Sequence, residues 1–171
     1  MTCLIDCETD INWDFDHLTL YERAVDAVLS AENCPFETVV SLLITDDEGI
    51  RQINREKRGI DSPTDVLSFP IPEYEHPADF TLAEEDSSNF DPESGELMLG
   101  DIVISQERIA AQAEEYGHDI QREYAFLIVH SMLHLCGYDH IEKEDQELME
   151  ERQKIIMAKL TDDFPKLAIN R

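Results

Sequence analysis

From Tyr124 to Cys136 the chain reads YAFLIVHSMLHLC, apolar nearly all the way round a helical turn. A helix with no polar face belongs inside a protein, so this segment is the predicted centre of the fold. Two other segments are patterned on one side only. Leu18, Tyr21, Ala24, Val25, Val28 and Leu29 recur at helical spacing through about residue 32. Leu148, Met149, Gln153, Ile155, Ile156 and Leu160 do the same within 143–160, with charges between them, and predict an amphipathic helix packed on the core. Residues after 161 read as a tail.

Short aliphatic runs supply the strands. These are residues 2–6 (TCLID), 37–45 (ETVVSLLIT) and 97–105 (LMLGDIVIS), the last with Gly100 marking a bulge. Pro63 and Pro70 bracket an edge strand at Asp65–Phe69, since proline holds its predecessor extended and cannot donate to a ladder. Asp46 caps a helix over about 47–57 that turns Ile50, Ile53 and Asn54 inward. Ser105 caps one over 106–116 closed by Gly117, and Asp119 caps the apolar helix. The order predicts an α/β (α+β) fold, a single domain with a small mixed sheet of about four strands and about five helices. No internal repeat is visible.

Residues 73–96 break the pattern. Nine of the twenty-four are Asp or Glu and none is Lys or Arg, which predicts an exposed, mobile loop or insertion, with His76 at its surface. Charge is lopsided throughout: 39 acidic against 13 basic residues give a net −26. Such a surface repels nucleic acid on average and favours a basic partner. Arg51, Arg55, Lys57 and Arg58 form the one cationic cluster in the sequence. With 171 residues and 42% hydrophobic content the chain suits one core. The N-terminus has no basic and apolar leader, and no run approaches a membrane span, so a cytoplasmic protein is expected. Cys3, Cys7, Cys34 and Cys136 lack metal or disulfide spacing, and Cys136 reads as core filler.

The chemistry sits on the apolar helix. His130 and His134, at i and i+4, share a face and reach one ion. Gly137 ends the helix, and the reversed chain returns His140 as a third ligand. Three imidazoles with one open position suit zinc at about 2.0–2.1 Å, one ion per chain, with nickel, copper and manganese left open. Metzincin proteases share this spacing but carry Glu after the first histidine as general base. Here Ser131 stands there, so the protease mechanism lacks its base. Asp139 either orients a histidine or sits in the turn, and Glu123, two turns before His130, is too distant for a shared metal.

Four segments in this order, Asn54 to Arg58, Pro63-Thr-Asp-Val-Leu-Ser-Phe-Pro70, Leu99-Gly-Asp-Ile102 and His130-x-x-x-His134-Leu-x-Gly137-Tyr-Asp-His140, resemble the YbeY family of bacterial rRNA maturation endoribonucleases. The resemblance runs from about Val39 to Met157. It implies a single metal-dependent endoribonuclease domain over 1–171, acting on single-stranded RNA in 16S rRNA 3′-end maturation and 70S ribosome quality control. Zinc would be held by His130, His134 and His140, and Arg58 would be needed for activity. The implied partners are a small-subunit ribosomal protein and the GTPase Era. The chain departs from the family at Ser131, usually Gly, at Lys57, commonly aromatic, and in the longer acidic 73–96 segment. Two rivals are a metalloprotease or other hydrolase, and a ribosome assembly factor with structural zinc.

Overall fold

The computed structural model describes residues 1–168. In chain order its strands are β1 (Thr2–Cys7), β2 (Thr38–Thr45), β3 (Val66–Pro70) and β4 (Leu97–Ser105). Its helices are α1 (His17–Ala31), α2 (Asp47–Arg58), α3 (Thr81–Glu85), α4 (Gln106–Tyr116), α5 (Ile120–Leu135) and α6 (Lys143–Asp163), with 3₁₀ turns at Ser87–Asn89 and Pro165–Leu167. The sheet order is β1-β2-β4-β3. Strands β1, β2 and β4 are parallel, and β3 closes the edge antiparallel to β4. Parallel neighbours need crossover connections, which α1 supplies between β1 and β2. The ladder register shifts between Val39 and Val40, where Met98 and Gly100 are the successive partners and Leu99 is the extra residue. The predicted bulge at Gly100 is therefore present, one residue earlier.

Helix α5 is the centre of this single α/β domain. It packs against α1, α4, α6, β3 and β4. Tyr124, Ala125, Ile128, Val129, Met132, Leu133 and Leu135 are fully buried, as an apolar circumference requires. Its neighbours are held by caps legible in the sequence. Asp46 accepts from Gly49 N at 2.8 Å to start α2, and Ser105 accepts from Arg108 N at 3.4 Å to start α4. Asp119 stands at the N-cap position of α5, but its side chain makes no capping bond.

Two segments differ from expectation. Residues 73–96 carry α3 and a 3₁₀ turn and dock on the core: Ala83 is fully buried and Phe80 nearly so. Phe80 meets the Tyr74 ring edge-on at 5.6 Å, Tyr74 Oη donates to Leu135 O at 2.6 Å, and Ala78 N donates to Cys136 O at 2.8 Å. The segment thus covers the end of α5. Its few apolar residues follow no helical or strand period, so acidic composition masks them. The supposed tail also belongs to the core, because α6 continues to Asp163 and Leu167 is fully buried.

Replacing Phe80 by Ala is expected to cost about 3–5 kcal/mol, the range for a buried aromatic, and to open residues 73–96 to limited proteolysis. Urea denaturation and protease mapping check both. Lost stability with an unchanged cleavage map would show that Phe80 does not hold the segment.

Candidate metal centre

Position 137 decides where the third histidine goes. Gly137 has φ +96°, and a Cβ there would lie 2.6 Å from Tyr74 Cγ. Only glycine allows the chain to reverse this tightly against that ring. Tyr138 N then donates to Leu133 O at 3.0 Å, and Asp139 Oδ1 accepts from Ile141 N at 3.3 Å. Asp139 therefore closes the turn that carries His140. The three imidazoles converge as a result, with one nitrogen from each of His130, His134 and His140 within 4.8 Å of the others.

Their tautomers follow from fixed partners. His134 Nδ1 lies 2.9 Å from Tyr138 O, and a carbonyl only accepts, so Nδ1 carries the proton. Gln153 Nε2 donates to Phe126 O at 3.1 Å, which turns Gln153 Oε1 toward His130 Nδ1 at 3.3 Å. His130 Nδ1 is protonated too. Both Nε2 atoms then carry lone pairs, yet they face each other at 3.2 Å. Two acceptors at that distance call for a cation between them, and a neutral histidine whose other nitrogen donates to a fixed acceptor is the form that ligates metals. The residues fit a metal ion.

The supports lie outside the motif. Tyr138 Oη donates to Glu32 Oε2 at 2.7 Å, and Arg152 Nε donates to Glu32 Oε1 at 2.8 Å. The residue that follows α1 and the middle of α6 thereby clamp the turn whose carbonyl orients His134. Sequence reasoning placed Gln153 on the inward face of α6 without a role. A polar side chain in an otherwise apolar stripe was the available signal. Glu32 and Tyr138 carried none.

The histidines open into a cleft of about 620 Å³, whose other wall includes Arg58, Asp65 and Ser68. Arg58 is the last residue of α2, before Gly59 with φ +71°. Asn54 Nδ2 bonds Ser62 O at 2.9 Å and Arg51 pairs with Asp61 at 2.9 Å, folding the following loop back and aligning β3 with the cleft. Arg55, Lys57 and Arg58 have no carboxylate partner among the described residues, and they also complement the negative end of α2. Ser131 is fully buried and shares a hydrogen bond with Ser68. Glu123 is buried away from the cluster, and burial followed by the Asp65 charge pushes it up to about 7. His76 is exposed, as expected.

Burial, then the neighbouring His130, lowers His134 to about 4, and burial lowers His130 as well. Both stay neutral at neutral pH, the ligating form. Below the ordinary histidine value of about 6.5 the unfolded chain takes up protons that the folded chain refuses. The metal-free protein is therefore expected to lose stability as pH falls from about 6.5 toward about 4, and to gain none from these groups above that window. Urea midpoints across pH 4–8 check this; a flat profile would mean the histidines are not desolvated.

A family model described as "Endoribonuclease YbeY" matches residues 5–161. The Endoribonuclease YbeY of Lachnoclostridium phytofermentans is 50% identical over 161 residues, covering 94% of this chain and 98% of that protein. That of Agathobacter rectalis is 51% identical with the same coverage. The solution structure of TM1509 from Thermotoga maritima shares the fold, with a TM-score of 0.56 at 20% identity over 99% of this chain and 97% of that one. With the histidine cluster at the end of α5 and sequence identity near one half along nearly the whole length, the chain belongs to the YbeY endoribonuclease family.

Proposed function

We propose that this chain is a zinc-dependent endoribonuclease for single-stranded RNA, acting in the cytoplasm on the 3′ region of 16S rRNA and in quality control of 70S ribosomes. The observation that carries the reading is the convergence of two Nε2 lone pairs and His140 on one point, in a cleft that also holds Arg58. His130, His134 and His140 would hold one zinc, since three imidazoles with an open position are a catalytic zinc donor set. When bound, zinc supplies Lewis-acid polarisation at the reacting phosphate.

The protein's own groups do the positioning. Arg58 offers a planar fork of donors that matches two phosphate oxygens, and no carboxylate competes for it among the described residues. Its charge counts most where the phosphate gains negative charge in the transition state. His130 and His134 are half-buried between β3 and α6. A flexible single strand enters such a cleft more readily than a stiff duplex.

The net −26 supports docking on basic small-subunit ribosomal proteins, and the family resemblance adds an Era-type GTPase. The same charge favours a second reading, a ribosome assembly factor whose zinc is structural. A metzincin protease finds less support, because Ser131 is buried against Ser68 where the base would stand. No described helix is long and apolar enough to cross a membrane.

Zinc-loaded protein is expected to cleave a short single-stranded RNA, Arg58→Ala to lose cleavage while keeping zinc, and His134→Ala to lose both. Parallel cleavage assays and elemental analysis on identically purified proteins check this. Cleavage by Arg58→Ala at the wild-type rate would remove Arg58 from the chemistry. Ribosome co-sedimentation without cleavage would favour the assembly factor. Gln153→Met, which frees His130 Nδ1, is expected to weaken zinc binding about 10- to 100-fold, measured by chelator competition.

A further inference from the structure

Phe126 is the only exposed large apolar side chain of α5, with 37% of its surface open in a helix otherwise packed on all sides. It lies one turn before His130. The two rings are nearly parallel, at 14° with centroids 6.4 Å apart. Beside it, between α5 and α6, runs a groove of about 610 Å³ lined by Arg122, Phe126, Glu150, Gln153, Lys154 and Met157 among others. Gln153 joins this groove to the metal centre, because its amide bonds Phe126 O on one side and His130 Nδ1 on the other.

The groove's charge runs against that of the chain: its lining holds two cations and one carboxylate, where the whole sequence has 13 basic against 39 acidic residues. Lys154 has no ion-pair partner among the described residues, and Arg122 bonds only a backbone carbonyl, that of Leu167. Glu150 is the one carboxylate in the lining. An apolar ring flanked by two such cations suits a ligand that is flat and aromatic at one end and anionic at the other. A nucleotide has that form. Aromatic side chains bind single strands by stacking, which tolerates any base because every base has a π-face.

We infer that Phe126 and the α5–α6 groove form a nucleotide subsite beside the metal centre, in which a base flanking the scissile phosphate stacks on Phe126 and its own phosphate meets Lys154 and Arg122. The inference rests on the nuclease reading above and adds to it a path for the strand. Arg58 lines the cleft and not this groove, so the two cationic elements hold different phosphates. Local cations also explain how RNA is held on a chain whose mean charge repels it.

The test uses the zinc-loaded full chain with two RNA probes. One is a cleavable decamer; the other is a cleavage-resistant phosphorothioate decamer carrying 2-aminopurine at successive positions, whose fluorescence falls on stacking. Wild type and Phe126→Trp are expected to quench one labelled position. Phe126→Leu should lose that quench and bind about 5- to 150-fold more weakly, raising KM more than it lowers kcat, with an unchanged melting temperature. Lys154→Gln should reduce the salt dependence of binding by about one phosphate contact.

Wild-type KM and quench in Phe126→Leu would overturn the subsite and leave the nuclease standing. Quench by wild type but not Phe126→Leu, without cleavage of the decamer by either, would uphold the subsite and sink the nuclease reading. No binding of either probe by wild type would overturn both.

Discussion

Everything in this molecule answers to one cost, that of carrying two imidazoles on a helix with no polar face. An unpartnered polar group in a core costs about 1–3 kcal/mol, so each Nδ1 has a dedicated acceptor: Gln153 from α6 for His130, and the Tyr138 carbonyl from the returning chain for His134. Satisfying those nitrogens leaves the two Nε2 lone pairs turned toward each other. A cation between them would relieve the repulsion this creates, so the packing of the fold prepares the donor set of the site.

The arrangement holds because the turn after α5 is fixed from several directions. Tyr74 fills the space that a side chain at Gly137 would need, and donates to Leu135 O. Glu32, 7% exposed, accepts from Tyr138 and pairs with Arg152. Such a pair adds little net stability against an apolar replacement, but removing one partner strands the other charge at a cost of several kcal/mol. Its contribution here is geometric. It sets the Tyr138 backbone, and with it the His134 ring.

Charge divides the surface by task. Five cations are neutralised by carboxylates, whereas Arg55, Lys57 and Arg58 at the end of α2 and Lys154 on α6 have no carboxylate partner among the described residues. Of these, Arg58 lines the histidine cleft and Lys154 the α5–α6 groove, local positive charge on a chain whose mean field repels polyanions.

How much of this was legible beforehand depends on the range of the interactions involved. The strands, the caps at Asp46 and Ser105, the apolar helix and the histidine spacing are local patterns of period 2 or 3.6, and the sequence by itself determined them. Arg58 was singled out by resemblance alone, since nothing within α2 distinguishes it from Arg55. Residues 73–96 carry no legible signal of their docking, because Tyr74, Phe80 and Ala83 reach the core without a period. Leu167 was missed because it is a single anchor beyond a helix. Only the tertiary structure decided that Gln153 holds His130 and that Glu32 holds Tyr138, for these partners lie 23 and 106 residues apart in the chain. A hydrogen bond across that separation depends on how helices pack, and no local pattern encodes it.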